Sequence, residues 1–381
     1  MPVPSRIQTG RTATTMTEPL RVGLVGADAS GRGWGPIVHI PAIRVVEHLE
    51  LAAVCTSRPE SAAAAADAYG VAGFHDVKDM VAQSDIDLIA VVVRVPAHLG
   101  VVMSALEAEK HVFCEWPLGA NLAEAQEMAA LARAKRVTTA VGLQGRQDPT
   151  LAHIKELHEE GWLGDVLSVN MTMFSGGAGR SDSTNAWMGD AKNGANLLTI
   201  VAGHSLHYLS HLFGHLTEVS ASVSTQVPRW HLADTGETID VDAPDNVAVI
   251  GTLPGGGRLS FHMASVPFNG SSWRMTVYGT KGILVATTEV LPQISPITLE
   301  GARGDEPLAP LPMPGHLRRA SAALLDGPAG NVARAYARIG QAIHDGKGFE
   351  PGFDDALRLH ELLDALQHSS EVERAVKLDL A

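Results

Sequence analysis

The sequence predicts an α/β chain in two parts: a doubly wound parallel sheet, followed by an α+β domain with a large, mostly antiparallel sheet. Three observations carry this. Between Leu20 and Arg146, continuous apolar runs alternate with helical patterns, as strands covered by helices on both faces require. After Arg146 the rhythm changes to β-rich runs joined by tight glycine turns. The 381 residues are long for one domain and comfortable for two.

The elements follow in chain order. Residues 1–19, MPVPSRIQTGRTATTMTEP, are polar, carry Arg6 and Arg11 and lack the apolar stretch of a signal peptide, so a disordered tail is expected, with Met16 a natural alternative start. The strands LRVGLVG, LELAAVC, IDLIAVVV, HVFCEW and VTTAVGL then define a first domain over 20–146. Between them, RPESAAAAADAYG is a helix stopped by Gly70. In NLAEAQEMAALARAKR, Asn121 with Glu124 resembles a capping box, and Leu122, Ala125, Ala129 and Ala132 share one face.

The helix LAHIKELHEEG and the strand VLSVNMTMF open a second domain over 147–330. Later runs, EVSASVSTQV, NVAVIGTL, RLSFHMASV, WRMTVYG and GILVATT, are joined in part by the turns PGGG and GTKG, which predict hairpins. Residues 292–316, rich in Pro and Gly, read as a long surface loop at the rim of a cleft. Over 331–381, two helices pack back on the body, the second with Leu359, Leu363 and Leu366 on one apolar face.

Composition narrows the function. A formal net charge of -13 without a basic stripe argues against nucleic acid as a partner. The apolar fraction is 45%, and no run approaches the roughly 20 residues of a membrane span, so no membrane partner is expected. Cys55 and Cys114 each close an apolar strand, and two cysteines make no disulfide framework, so a reducing, cytoplasmic setting is expected. No internal repeat is visible.

The chemistry concentrates at strand ends. RVGLVGADASGRGW sets glycines directly after the first strand, where a helix N-terminus can receive a pyrophosphate. Gly26 and Gly31 take the first and third positions of the dinucleotide fingerprint, Asp28 stands at the second, and Ser30, Arg32 and Trp34 complete the candidate turn. The second strand ends in Thr56, Ser57 and Arg58 where an acidic residue would select NAD, which favours NADP(H) with NAD as the alternative. Ser57 has a second reading, as the cap of the helix beginning at Pro59.

GLVGADASGRGW, VPAH, CEWPLG and VGLQGR stand in the order and spacing of the glucose-fructose oxidoreductase and inositol dehydrogenase (Gfo/Idh/MocA) family, which the chain resembles over nearly its whole length. EWPL, LQGRQDP, KELHEEGWLGDVLSV, NGANLLTIVAGHSLHYL, APDNVAVIGTL and VYGTKG resemble its branch containing the fungal galactose-pathway repressor. The resemblance implies a Rossmann domain followed by a sheet domain, with the substrate between the nicotinamide and that sheet. It implies that Val95, Pro96, His98, Glu115, Trp116, Gln144 and Arg146 line the cofactor. It also implies a homodimer, which the exposed face of a large sheet would suit.

Two departures from the family bear on catalysis. Its oxidoreductases usually carry Lys where this chain has Trp116, and its sugar dehydrogenases present Asp-x-x-x-His where this chain has Ile200 and His204. A Trp indole donates one hydrogen bond and stacks on rings, but accepts no proton. His204 is therefore the expected general acid/base, with Trp116, Trp187, Lys192, Asn193, His204 and His207 as substrate contacts. His204, His207 and His211 share a helical spacing, but no Glu lies between them and no Cys or Asp cluster is near, so no metal is expected.

Two functions remain open on this reading. One is an NAD(P)-dependent oxidoreductase acting on a secondary alcohol of a small carbohydrate-like substrate, a sugar, glycoside or cyclitol, including a redox-neutral form that retains its cofactor. The other is a non-catalytic regulator that senses dinucleotide.

Overall fold

The computed structural model describes residues 18–322 and 327–379; the expected tail lies outside the described residues up to position 17. Six strands, β1 (Leu20–Val25), β2 (Leu49–Cys55), β3 (Ala72–Phe74), β4 (Leu88–Val91), β5 (His111–Glu115) and β6 (Thr139–Gly142), form one parallel sheet in the order β3-β2-β1-β4-β5-β6. The strand order reverses between β1 and β4, opening a crevice at their carboxyl ends. Five of these strands are apolar enough to be read from sequence. The sixth, β3, is three residues long at a half-exposed edge, too short to show as a run.

Buried side chains of the sheet, among them Val22, Leu24, Ala90 and Phe113, share a core with Val332, Tyr336 and Ile339 of the helix Gly327–His344. The last helix, Phe353–Val372, buries Leu359, Leu363 and Leu366 and packs on both the helix Leu122–Lys135 and the strand Glu218–Ser224. It thereby ties the second sheet to the first.

That second sheet has nine strands in the order Ala309–Pro310, Thr298–Arg303, Gly282–Thr288, Ser271–Gly279, Val166–Gly176, Arg258–Val266, Asn246–Thr252, Glu218–Ser224, Val376–Lys377. Every neighbour pair is antiparallel except Val166–Gly176 with Arg258–Val266. The two glycine turns close hairpins, pairing Thr252 with Arg258 and Tyr278 with Ile283. The expected loop over 292–316 needs correction, because Thr298–Arg303 is a strand within it. Leu299, Gly301 and Ala302 are buried there, and a Cβ on Gly301 would lie 2.6 Å from Leu311. Prolines and glycines at both ends hide that short alternation.

One face of the sheet, with Val169, Met171, Phe261, Met263 and Met275, is buried in one core with Leu206 and Leu209 of the helix Gly203–Phe213. Trp273 Nε1 donates to Ser205 Oγ at 3.1 Å, fixing that helix at the residue after His204. No helix of the described residues is long and apolar enough to cross a membrane. Both cysteines are buried free thiols.

Candidate functional site

The glycine turn at the end of β1 is built from backbone that side chains would break. At Gly26 φ is +106°, and a Cβ would fall 2.1 Å from the carbonyl oxygen of Val92. Gly35 opens the helical segment that runs on from the turn, and its Cβ would lie 2.7 Å from the carbonyl oxygen of Gly26. Close strand-to-helix packing is thus the work of Gly35, which corrects the assignment of Gly31 to the third fingerprint position. Gly31 and Gly33, at φ +68° and +89°, have open space before them.

Asp28 stands at the second fingerprint position with its carboxylate turned back on its own loop, accepting from the amide and hydroxyl of Ser30. Tyr69 donates to the Asp28 carbonyl and pins the turn. Arg32 is exposed, while Trp34 is half-buried with a buried, unpartnered Nε1. An open, left-handed backbone leading into a helix fits the pyrophosphate of a dinucleotide. At the end of β2, Thr56 meets Ser61 Oγ at 2.7 Å, and Ser57 and Arg58 are exposed. Ser57 does not cap the following helix: the N-cap is Arg58, without a side-chain bond, and Ser61 Oγ donates to its carbonyl at 3.0 Å.

At the end of β5 a buried polar chain is strung across the sheet. Glu115 meets His39 Nε2 at 3.0 Å with one oxygen and accepts from Gln144 Nε2 at 3.1 Å with the other, while His39 Nδ1 meets the Tyr336 hydroxyl at 2.8 Å. Gly142 is required beneath it, since a Cβ there would sit 2.5 Å from Glu115 Oε1. Burying a carboxylate is tolerable because both its oxygens are paired.

Trp116, next in sequence, is 6% exposed. Its Nε1 donates to the Thr199 carbonyl at 2.8 Å, and its ring lies 4.8 Å from that of His360. A Cβ on Gly203 would be 3.0 Å from Trp116 Nε1, so the glycine before His204 makes room for the indole. The donor of Trp116 is therefore spent inside the protein, which removes it as a polar substrate contact.

His98 is corrected likewise. It is 1% exposed, with Nδ1 2.9 Å from the Pro117 carbonyl and Nε2 3.0 Å from the Val93 carbonyl. It clamps the ends of β4 and β5 together instead of facing a ligand. Val95 is buried at the start of the short turn Val95–Ala97 that contains Pro96, beside Arg94.

Asn196 caps a π-helical segment, Leu197–Ala202, that runs into the helix Gly203–Phe213. Ile200 lines an apolar pocket of about 280 Å³ with Met188, Trp230 and Val201. His204 is 5% exposed and its Nδ1 is buried without a hydrogen-bond partner. Burial draws its imidazole down to about 3, so the ring is neutral at pH 7. The arrangement leaves an unpaired His204 nitrogen with the Tyr208 ring 6.2 Å from its own.

The remaining expected contacts spread apart. Trp187 lies under Arg94, whose guanidinium carbon is 5.4 Å from the ring and which also donates to the Thr184 carbonyl, so the loop is fastened beside Val95 and Pro96. Asn193 Nδ2 holds the Trp187 carbonyl at 2.6 Å. Lys192 is 81% exposed and paired with Asp190 at 2.6 Å, so it does not stand in for the missing lysine. Arg146 points to the C-terminal segment, 2.6 Å from Glu350 and 3.5 Å from Asp355, which corrects its placement on the cofactor. His207 shares its cavity.

Sequence reasoning missed His39, Tyr336, Arg94 and Gly145. A Cβ on Gly145 would fall 2.4 Å from the Tyr208 ring, so the turn after β6 docks on the His204 helix there. A lone His inside the apolar GPIVHIPA was the available signal for His39. Among the described residues, no group of three or more His, Cys, Asp or Glu side chains stands ready to hold a metal ion.

Residues 20–143 match the model of an oxidoreductase family with an NAD-binding Rossmann fold (GFO_IDH_MocA), and residues 149–288 match that of the Gal80p C-terminal domain. The chain is similar to the dehydrogenase aclE of Aspergillus oryzae, 33% identical over 248 residues that span 62% of this chain and 68% of that one. It is 27% identical to the galactose/lactose metabolism regulatory protein GAL80 of Saccharomyces cerevisiae over 92% of this chain and 93% of that one. A super-repressor mutant of that Gal80p superposes with a TM-score of 0.82 at 25% identity, covering 94% of this chain and 98% of its own. The levoglucosan dehydrogenase of Pseudarthrobacter phenanthrenivorans is 26% identical over 230 residues, 57% of each chain.

Proposed function

Because the chain belongs to the Gfo/Idh/MocA family of oxidoreductases and carries a C-terminal domain of the Gal80p type, we propose that it is an NAD(P)-dependent oxidoreductase acting on a secondary alcohol of a sugar, glycoside or cyclitol. The single observation that carries this reading is the unpartnered, buried Nδ1 of His204, next in sequence to the Gly203 that packs on Trp116. A buried nitrogen without a partner is costly unless a ligand pairs with it, and a substrate hydroxyl is the group that would.

The open turn over 26–35 would hold the dinucleotide, which would supply the hydride acceptor or donor. His204 would take the hydroxyl proton at Nδ1 as the alcohol is oxidised and return it in the reverse direction. Burial holds its imidazole at about 3, well below the near-neutral value expected of a base, so the transfer requires the developing alkoxide at Nδ1 to raise it. Trp116 walls the site with an indole already hydrogen-bonded to Thr199, so the indole takes no part in that transfer. Glu115, fixed between His39 and Gln144, sets the end of β5 and so the position of Trp116. The similar levoglucosan dehydrogenase supports a carbohydrate substrate. Arg58, exposed just after β2 where the sequence carries no acidic residue, supports NADP(H) over NAD.

The second reading is a regulator that binds dinucleotide without turning over substrate. The apolar pocket at Ile200 and the likeness to GAL80 along nearly the whole chain favour it. Identifying the nucleotide released from the purified protein, then following nicotinamide absorbance with sugars, glycosides and cyclitols, separates the two. Turnover supports the enzyme; tight nucleotide binding with no turnover of any substrate class supports the regulator or a redox-neutral enzyme that retains its cofactor.

A further inference from the structure

A second cavity, of about 250 Å³, lies on the side of the His204 helix that carries His207 and His211, facing the C-terminal helices. We propose that it binds a small oxyanion, the phosphate or carboxylate group of a metabolite, at a place separate from the dinucleotide turn. Its charge is the first argument. Three fixed cations line it, Arg146, Lys155 and Arg358, against two carboxylates, Glu350 and Asp355, while the exposed Glu159 outside the lining lies 3.8 Å from Lys155.

The second argument is a set of donors without partners. His207 is 6% exposed, and its Nε2 is buried with no hydrogen bond. The Nε of Arg358 is likewise buried and unpaired. Lys155 Nζ reaches into the same group, 3.2 Å from the His211 carbonyl and 3.5 Å from its Nδ1. His207 and His211 stack in parallel, ring centres 6.5 Å apart. Burial depresses both imidazoles, and Arg146 depresses them further, as expected where positive charge is in excess.

A metal cation would meet that excess unfavourably; an anion relieves it and pairs the open donors. Asp355 is held by the helix start it caps, accepting from the Gly352 amide at 2.8 Å, and stays in place. Glu350 is 70% exposed and swings to solvent at little cost, freeing one edge of the Arg146 guanidinium for the ligand. The proposal does not depend on the oxidoreductase reading.

Isothermal titration of the full chain, saturated with dinucleotide so that the glycine turn is occupied, tests it. Inorganic phosphate and succinate are the probes, with chloride matching the ionic strength. Binding of either by the wild type, weakened about tenfold in both Lys155→Met and Arg358→Gln, is expected. Phosphate and succinate arms distinguish the two oxyanion sources. No binding of either probe overturns the proposal, and so does binding that both variants keep unchanged. Lys155 and Arg358 are a third exposed, and thermal unfolding of each variant verifies that the fold is retained.

Discussion

His204 and His360 are each 5% exposed, and burial draws their imidazoles down to about 3 and about 4. In the unfolded chain both return to about 6.5. The unfolded state therefore binds more protons as the pH falls, so their contribution is intact above pH 6.5 and is lost progressively below it, until the folded-state values are reached. At about 1.4 kcal/mol per pH unit, two units of acidification remove about 3 kcal/mol for each histidine, roughly 5 to 6 kcal/mol together. Net stabilities of domains are about 5–15 kcal/mol, so these two histidines alone remove a large part of the margin by about pH 4.5, before the likewise depressed His211 is counted. Urea unfolding between about pH 7 and pH 4.5 measures this, with His204→Asn alongside. The variant should lose one proton's worth of slope. Equal slopes in both proteins would refute the burial of His204 and the neutral imidazole on which its proposed role rests.

Gly26→Ala should destabilise by about 2–4 kcal/mol and abolish dinucleotide binding, because its Cβ would meet the Val92 carbonyl at 2.1 Å; chemical denaturation and quenching of protein fluorescence by NADH check both. Trp116→Phe keeps the ring against His360 but leaves the Thr199 carbonyl unpaired, an expected cost of about 1–3 kcal/mol in urea unfolding with dinucleotide affinity unchanged. Arg58→Asp should weaken NADP(H) binding at least about tenfold and spare NAD(H); equal NADP(H) affinity in titrations of the two proteins would leave Arg58 no part in cofactor choice.

The parallel sheet was legible because its strands are buried on both faces and so spell continuous apolar runs, whereas Thr298–Arg303 was lost because its few buried residues sit between prolines and glycines. In the site, His204 stands out only through the family resemblance, whereas the glycine turn could be read from local text. The partners could not: Glu115 is paired with residues 76 and 29 positions away, and His39 with one 297 positions away. The glycine spacing of GADASGRGWG was ambiguous for a physical reason, since only the fold reveals that Gly35, and not Gly31, touches the strand. Arg146 misled in the same way, as its carboxylate partners lie more than 200 positions downstream.

In the proposed reaction His204 moves the proton that accompanies hydride transfer. Single-turnover hydride transfer in the wild type and in His204→Asn, each saturated with the nucleotide found bound and with a substrate from the turnover panel, tests this most directly. The predicted result is a rate reduced about 10²–10⁴-fold in the variant with nucleotide affinity unchanged. A His204→Asn protein that transfers hydride at the wild-type rate would contradict it.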